Sequence, residues 1–194
     1  MKILKKLLGK LIRILYRFVY RFIPCQEKTI LFISFHGRGY SDNPMAIHQY
    51  LSKHSQYADY RCIYAIKNHK QKKLKIENAR IIEYFSIAYF FYLARSKYWI
   101  ANCKLPKYVL KKDSQVYLQT WHGTPLKKLA HDIEVPEGTT FYRSEMSVEE
   151  MRSTYDNDVS KYNYMISPSA FTTEVFQSAF AIERERLIET GYPR

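Results

Sequence analysis

The sequence predicts an α/β protein, in which a mostly parallel sheet carries helices on both faces and follows an amphipathic N-terminal helix. Three features predict this. From residue 28 onward, apolar segments of strand length alternate with segments of helical periodicity. Turns rich in glycine and proline separate these segments. Residues 1–24 differ from the rest, because they combine helical periodicity with many cations and no acid. Repeated strand–helix units favour parallel strands with helices packed on both sides.

The elements follow in chain order. The N-terminal helix occupies residues 1–24 and ends near Pro24. The α/β domain occupies residues 27–194. Its first strand covers 28–36, and Asn43 and Pro44 then suit the N-cap and first position of a helix reaching about residue 53. Further strands are predicted over 59–66, 79–84, 97–102, 115–120, 162–166 and 185–189, and further helices over 85–95, 149–154 and 168–179.

Composition indicates an acidic partner and a reducing compartment. The 194 residues carry 31 Lys and Arg against 18 Asp and Glu, a net charge of +13. Such an excess predicts nucleic acid, anionic lipid or a phosphate-rich polymer as partner. Cys25, Cys62 and Cys103 are too far apart to form a metal motif or a disulfide framework, which favours a cytosolic setting. The 18 Tyr and 11 Phe allow a packed core.

The N-terminal helix is basic on one side and apolar on the other. Seven cations lie in residues 1–26, and apolar side chains recur at spacings of three and four. A transmembrane span needs about 18 residues with few charges, and a signal peptide needs an uninterrupted apolar region, so neither fits. An in-plane helix at an anionic membrane surface fits best, with each cation contributing about 1 kcal/mol. The open alternative is a helix docked on the protein's own core.

His122 is the leading candidate for a catalytic residue. It follows the strand predicted over 115–120, and Thr124 and Pro125 suit the N-cap and first residue of a helix. The free N–H groups of such a helix would bind an anion, above all phosphate. Lys127 and Lys128 would oppose the helix dipole, and an anionic ligand would explain them. The alternative is a plain connector between strand and helix.

Other candidate residues lie at the same predicted edge of the sheet. In parallel sheets, ligands bind beyond the carboxyl ends of the strands. Three turns meet this condition, and the candidate phosphate- or substrate-binding residues in and beside them are His36, Gly37, Arg38, Gly123, Thr124, Lys127, Lys128 and Ser167.

No metal or cofactor is expected. Asp156 and Asp158 form an acidic pair, but their surroundings read as a polar surface loop. His131 could face the crevice of His122 or act as a cation at a helix end. The sequence contains no Walker loop, zinc pattern or HExxH motif. Nucleic acid is not expected as partner, because the cations cluster in an amphipathic helix and favour lipid.

Four blocks in order resemble one known family. They cover residues 35–44, 118–127, 164–169 and 189–194, and the second, containing Trp121-His122-Gly123-Thr124-Pro125, is the most distinctive. These blocks resemble the CDP-glycerol glycerophosphotransferases, the teichoic acid primases and polymerases of Gram-positive bacteria.

The resemblance implies a two-domain GT-B enzyme that acts without metal at the cytoplasmic face of the cell membrane as a peripheral protein. Residues 27–194 would be its Rossmann-like N-terminal domain. The donor would be CDP-glycerol, the acceptor a lipid-linked teichoic acid, and the released product CMP, with His122 as general base.

The same resemblance places the donor contacts mainly in a C-terminal domain. The sequence ends at Arg194, about where that domain should begin. We therefore expect the acceptor-side part of an enzyme, either truncated or one half of a split pair. The alternative is a non-catalytic membrane-surface module that binds anionic lipid or polymer.

Overall fold

The computed structural model describes residues 2–71, 73–134, 140–141 and 146–194. Within these ranges the helices are α1 (Lys2–Val19), α2 (Asp42–Lys53), α3 (Ile87–Arg95), α4 (Val148–Val159) and α5 (Ala170–Phe180). The strands are β1 (Gln26–Ile33), β2 (Arg61–Ile66), β3 (Ala79–Glu83), β4 (Ser96–Ala101), β5 (Val116–Gln119), β6 (Thr140–Phe141), β7 (Met146–Ser147), β8 (Tyr164–Ser167) and β9 (Leu187–Glu189).

The main sheet is parallel throughout the described part of the chain, in the order β3-β2-β1-β4-β5-β8-β9. Strands β6 and β7 form a separate antiparallel pair. Strands are added outward from β1 in one direction as far as β3, and from β4 in the other. The order therefore reverses between β1 and β4, where doubly wound sheets open a crevice for ligands.

Both faces of the sheet are covered, as the sequence predicted. One core layer joins Leu31, Trp99 and Tyr117 to buried side chains of α3 and α5. The opposite layer joins Phe32 and Tyr64 to the apolar side of α2. Each strand contributes alternate residues to the two layers, which explains the nearly continuous apolar runs of β1 and β2.

Helix α1 packs against the domain through only part of its circumference. Tyr16 is buried, and its hydroxyl donates a hydrogen bond of 2.8 Å to the carbonyl of Leu110. Tyr20 and Ile23 also pack against this core layer. The alternative of a helix docked on the protein's own core is therefore correct for the side of α1 that carries Tyr16. The opposite side of the helix is exposed and apolar: Leu11, Ile14, Leu15, Phe18, Val19, and beyond its end Phe22. Among the described residues, no helix is both long and apolar enough to cross a bilayer.

Three local predictions are wrong. The N-cap of α2 is Ser41, so Asn43 and Pro44 lie inside the helix and do not begin it. No helix begins at Thr124, because the chain is irregular until a short 3-10 turn at Ala130–Asp132. The φ of 41° at Ala130 is incompatible with a helix continuing through it, and Leu126 is 94% exposed and would add little burial to such a helix. The acidic pair is also not in a loop, because α4 continues through Asp158 to Val159. Asp158 and Val159 are buried in the last turn of α4. This burial stabilises a helix that is longer than predicted.

Candidate active site

Three strand ends bring the two candidate histidines to the same edge of the sheet. Ile33 of β1 is in register with Ala101 of β4, and Ala101 is in register with Gln119 of β5. The residues that follow these positions meet at the point where the strand order reverses. His36 and His122 interact electrostatically there, so the structure brings together the two residues that the turn pattern selected.

The imidazole of His122 contacts three residues, and His122 is exposed. It stacks on the ring of Trp121 with centroids 4.6 Å apart, and meets the edge of Phe35 at 5.8 Å. Its Nδ1 lies 2.5 Å from the backbone carbonyl oxygen of Asn102. Trp121 has a φ of 53°, and its buried ring packs on Phe180. The indole thus anchors the turn, while His122 itself is exposed at the surface.

The hydrogen bond to Asn102 assigns the protons of the ring. A carbonyl oxygen only accepts, so Nδ1 must be the donor. In the neutral imidazole, Nε2 then carries the free lone pair. An exposed ring with a free Nε2 can take a proton from a substrate hydroxyl, which is the chemistry of a general base.

His36 lies in a tight turn directly after β1. Its φ is 55°, and Gly37 follows with a φ of 81°. The Gly37 N–H donates to the carbonyl of Ser34 at 2.9 Å, and the Gly37 carbonyl accepts from the N–H of Lys67 at 2.7 Å. Burial lowers the pKa of His36, and the positive charges of Lys67 and Arg38 lower it further. His36 is therefore neutral at pH 7, in a positive environment suited to an anion.

Lys104 is a cation near His36 that was not among the candidate site residues, although it belongs to a basic run before the His122 strand that could attract a polyanion. It follows the end of β4 and also lowers the pKa of His36. Its Nζ donates to the hydroxyl of Thr154 at 2.8 Å and lies 3.4 Å from the centroid of the Tyr155 ring. Burial lowers the pKa of Lys104 to about 8. Its position just after a strand was the available signal, and the same signal would have found Asn102.

The remaining candidate residues are distributed more widely. Gly123 is half-buried, and the hydroxyl of Thr124 lies 3.4 Å from that of Tyr192. The Ser167 hydroxyl is buried, donates to the carbonyl of Ser169, and accepts from Thr173. Their assignment to substrate binding stays a prediction.

Lys127 and Lys128 line a surface groove beside α5. Lys128 forms an ion pair of 2.6 Å with Glu134. Because no helix starts at Thr124, the dipole argument for a phosphate at these lysines is lost. Arg38 is exposed beside the turn of His36.

The acidic pair is divided between two environments. Asp156 pairs with Nε2 of His131 at 2.6 Å, so His131 lies against α4. Asp158 is buried and accepts hydrogen bonds from the Leu105 N–H and the Tyr162 hydroxyl. Across the described ranges, no group of three or more His, Cys, Asp or Glu is arranged to hold a metal ion.

The fold and the position of His122 together define a class of protein, a doubly wound α/β domain that presents an exposed histidine at the edge of the sheet where such folds bind ligands. Within that class, the chain belongs to the CDP-glycerol:poly(glycerophosphate) glycerophosphotransferase family, whose model matches residues 14–194. The family resemblance seen in the four sequence blocks is thereby confirmed.

Characterised relatives are similar over most of this chain. It is 39% identical over 175 residues to the teichoic acid poly(glycerol phosphate) polymerase of Bacillus spizizenii, covering 89% of this chain and 42% of that protein. It is 36% identical over 167 residues to the teichoic acid glycerol-phosphate transferase of Staphylococcus aureus, covering 85% and 40%.

A solved structure of the wall teichoic acid polymerase TagF, soaked with CDPG, matches with a TM-score of 0.85 and 35% identity over 94% of this chain and 42% of that one. The chain thus spans about two fifths of the length of these relatives.

Proposed function

We propose that this chain is the acceptor-side domain of an enzyme that transfers glycerol phosphate from CDP-glycerol to a lipid-linked teichoic acid, with His122 as general base. The observation that carries the proposal is the exposed residue His122, whose imidazole is fixed through a hydrogen bond at Nδ1, which leaves Nε2 as the proton-accepting nitrogen. Family membership supports the reaction class, and the TagF structure soaked with CDPG supports the donor.

The reaction requires one proton transfer and one phosphoryl transfer. The terminal hydroxyl of the acceptor gives its proton to Nε2 of His122 as its oxygen attacks the β-phosphate of CDP-glycerol. A new phosphodiester bond forms, the bond between the two phosphates breaks, and CMP leaves. A positioned base typically contributes about 10²- to 10⁴-fold to such a rate. The cations Arg38 and Lys104 near His36 would stabilise negative charge on the transferring group.

Residues 27–194 are the N-terminal domain of a GT-B arrangement in this proposal. The seven-stranded parallel sheet and its crevice between β1 and β4 correspond to one such domain. The principal donor contacts would then belong to the part of the relatives that this chain does not span.

Helix α1 would hold this domain at the cytoplasmic face of the membrane. Phe18 on its outward side is 71% exposed, and Phe22, just beyond its end, is 74% exposed. Lys10, Arg17 and, in the turn after the helix, Arg21 are also exposed. An apolar strip beside cations suits the boundary of an anionic bilayer. The contacts of Tyr16 leave this strip free.

The catalytic assignment is tested by CMP release from CDP-glycerol with a lipid-linked acceptor. The chain is assayed alone and fused to the portion of the Bacillus spizizenii polymerase that it does not span. We expect the fusion to turn over, and His122→Ala to lower kcat by at least about 100-fold. His54→Ala is the matched control, because His54 is exposed at the far end of α2. Equal rates in the two variants would remove His122 from the mechanism.

Membrane association is tested by sedimentation with anionic phospholipid vesicles. Replacing both Phe18 and Phe22 by Asp should weaken binding at least about 10-fold, because two large apolar side chains can no longer enter the interface. Phe171→Asp is the control, since Phe171 is 59% exposed on α5. Unchanged binding of the double variant would contradict the anchor. Binding by a fusion that never turns over would favour the non-catalytic lipid-binding module.

A further inference from the structure

The first turn of α2 contacts two segments that adjoin the His122 ring, the end of β4 and the end of β5. Asp42 and Asn43 are adjacent residues, yet Asp42 reaches the end of β4 and Asn43 reaches the end of β5. We propose that this Asp-Asn pair positions the imidazole of His122 and keeps Nε2 as its proton acceptor. The proposal rests on the proposed function of His122 and names two positioning residues for it.

Asn43 holds the backbone that leads into His122. Its side chain is fully buried, and its Nδ2 donates to the carbonyl oxygens of Thr120 and Trp121, each at 3.1 Å. These are the two residues directly before the histidine. Trp121 has a φ of 53°, so the chain leaves the strand direction there. One amide group therefore fixes both peptide units of the bend that presents the ring.

Asp42 holds the group that receives the Nδ1 proton. Its Oδ2 accepts a hydrogen bond of 2.6 Å from Nδ2 of Asn102. The other end of that amide, Oδ1, accepts from the Phe35 N–H at 2.8 Å. With both ends engaged and no exposure, the Asn102 side chain cannot rotate. Its backbone carbonyl is consequently fixed opposite Nδ1 of His122 at 2.5 Å.

Asp42 is itself well placed for this role. Its side chain is 9% exposed and also forms an ion pair with Arg194. Its backbone has a φ of 61°, a left-handed conformation that is unfavourable for most residues. The tautomer depends on this arrangement, because only a carbonyl held at Nδ1 keeps the proton on that nitrogen and leaves Nε2 free. If the carbonyl moves away, the two neutral tautomers become closer in energy.

The direct test is ¹⁵N NMR of histidine-labelled 194-residue chain, which reports the tautomer without any turnover. The His122 signals are assigned by comparison with His122→Ala. In the wild type we expect the form protonated on Nδ1. Asp42→Ala should raise the population protonated on Nε2, whereas Asp42→Asn should not, because its amide oxygen still accepts from Asn102. Asp59→Ala is the matched control, since Asp59 pairs with Lys28 on the exposed surface.

The second readout is steady-state kinetics of the fusion described above. We expect Asp42→Ala and Asn43→Asp to lower kcat by about 10- to 100-fold through misplacement of the base, while KM for CDP-glycerol stays within about 2-fold. Asp42→Asn should recover most of the loss. Thermal unfolding identifies a variant that does not fold. If Asp42→Ala is such a variant, the tautomer of wild-type His122 and the kcat of Asn43→Asp decide the question.

The outcomes separate this inference from the proposed function. If wild-type His122 is protonated on Nε2, or if its tautomer is the same in Asp42→Ala, the positioning role is overturned whatever the activity. If the tautomer shifts as expected but His122→Ala still turns over, the positioning role stands and the catalytic proposal fails.

Discussion

Replacing Gly37 by alanine should destabilise the domain strongly, and the structure separates two causes. Gly37 has a φ of 81°, in the left-handed region. An L-residue there costs about 1–2 kcal/mol. An added Cβ would also lie 2.7 Å from both Cβ and Cγ of Tyr84, and 2.9 Å from its Cδ2. These distances are well inside the normal carbon contact of about 3.5–4.0 Å.

Tyr84 has little freedom to move away. Its N–H donates to the carbonyl of Ile66 at 3.1 Å, and its ring packs on Tyr89 with centroids 4.7 Å apart. Overpacking of this kind costs about 1–3 kcal/mol. With the backbone strain, we expect Gly37→Ala to lower the free energy of unfolding by about 2–5 kcal/mol. In a chain of this size the midpoint of thermal unfolding should fall by about 2–4 °C for each kcal/mol.

Two other glycines serve as controls in urea denaturation followed by circular dichroism. Gly191 has a φ of 80° with nothing within 4 Å of an added Cβ, so Gly191→Ala reports the backbone strain without the contact. Gly39 has open space and no left-handed φ, so Gly39→Ala should stay within about 0.5 kcal/mol of wild type. Equal losses at Gly37 and Gly191 would refute the cost assigned to Tyr84. A loss at Gly37 no larger than at Gly39 would refute both causes.

Two further predictions concern α4. Burial raises the pKa of Asp158 from its ordinary value of 3.8 to about 6. The protonated carboxyl therefore stabilises the folded state by about 3 kcal/mol below pH 3.8, and this stabilisation is lost as pH rises through 6. Asp158→Asn should remove that pH dependence. The measurement is urea unfolding of both proteins at pH 4.5 and at pH 7. If the free energy of unfolding changes equally with pH in the two proteins, the prediction is wrong. At the other end, Ser147 accepts from the Glu150 N–H while Glu150 accepts from the Ser147 N–H, each at 3.1 Å. Ser147→Ala should therefore cost about 1 kcal/mol in the same assay, and Ser160→Ala at the C-cap much less.

The sheet and the edge that carries His122 could be predicted because both depend on local patterns. Runs such as Ile30 to Ile33 are apolar for strand length and end in glycine turns, so the strand ends were located within a few residues. Parallel connection then placed His36 and His122 at one edge without any knowledge of distant contacts.

The positioning contacts could not be predicted because they join residues far apart in sequence. Asp42 and Asn102 are 60 residues apart, and neither lies in a motif that signals the other. The failed helix at Thr124 has a related cause. Its cap and proline were suitable, but helix stability depends mostly on a buried apolar face, and Leu126 stays 94% exposed.

The side of the N-terminal helix that contacts the protein also could not be predicted from the sequence. Its periodicity correctly indicated distinct sides, but Tyr16 and Tyr20 belong to a side that the pattern did not separate from the basic one. An aromatic side chain on this helix could contact either lipid or α3, and the periodicity does not say which, because the choice depends on where α3 lies in the fold. The ring of Phe90, 5.2 Å from that of Tyr16, decides it here.

The contacts of Tyr16 fix the orientation of α1 relative to the rest of the domain. The helix cannot tilt or roll without breaking the Tyr16 hydrogen bond to Leu110 and the ring contact with Phe90. A flat surface resting on Phe18 and Phe22 would consequently meet the sheet at one fixed angle. In the proposed function, the height of the His122 edge above that surface is therefore fixed, and a membrane-bound acceptor would have to bridge it by its own length and flexibility.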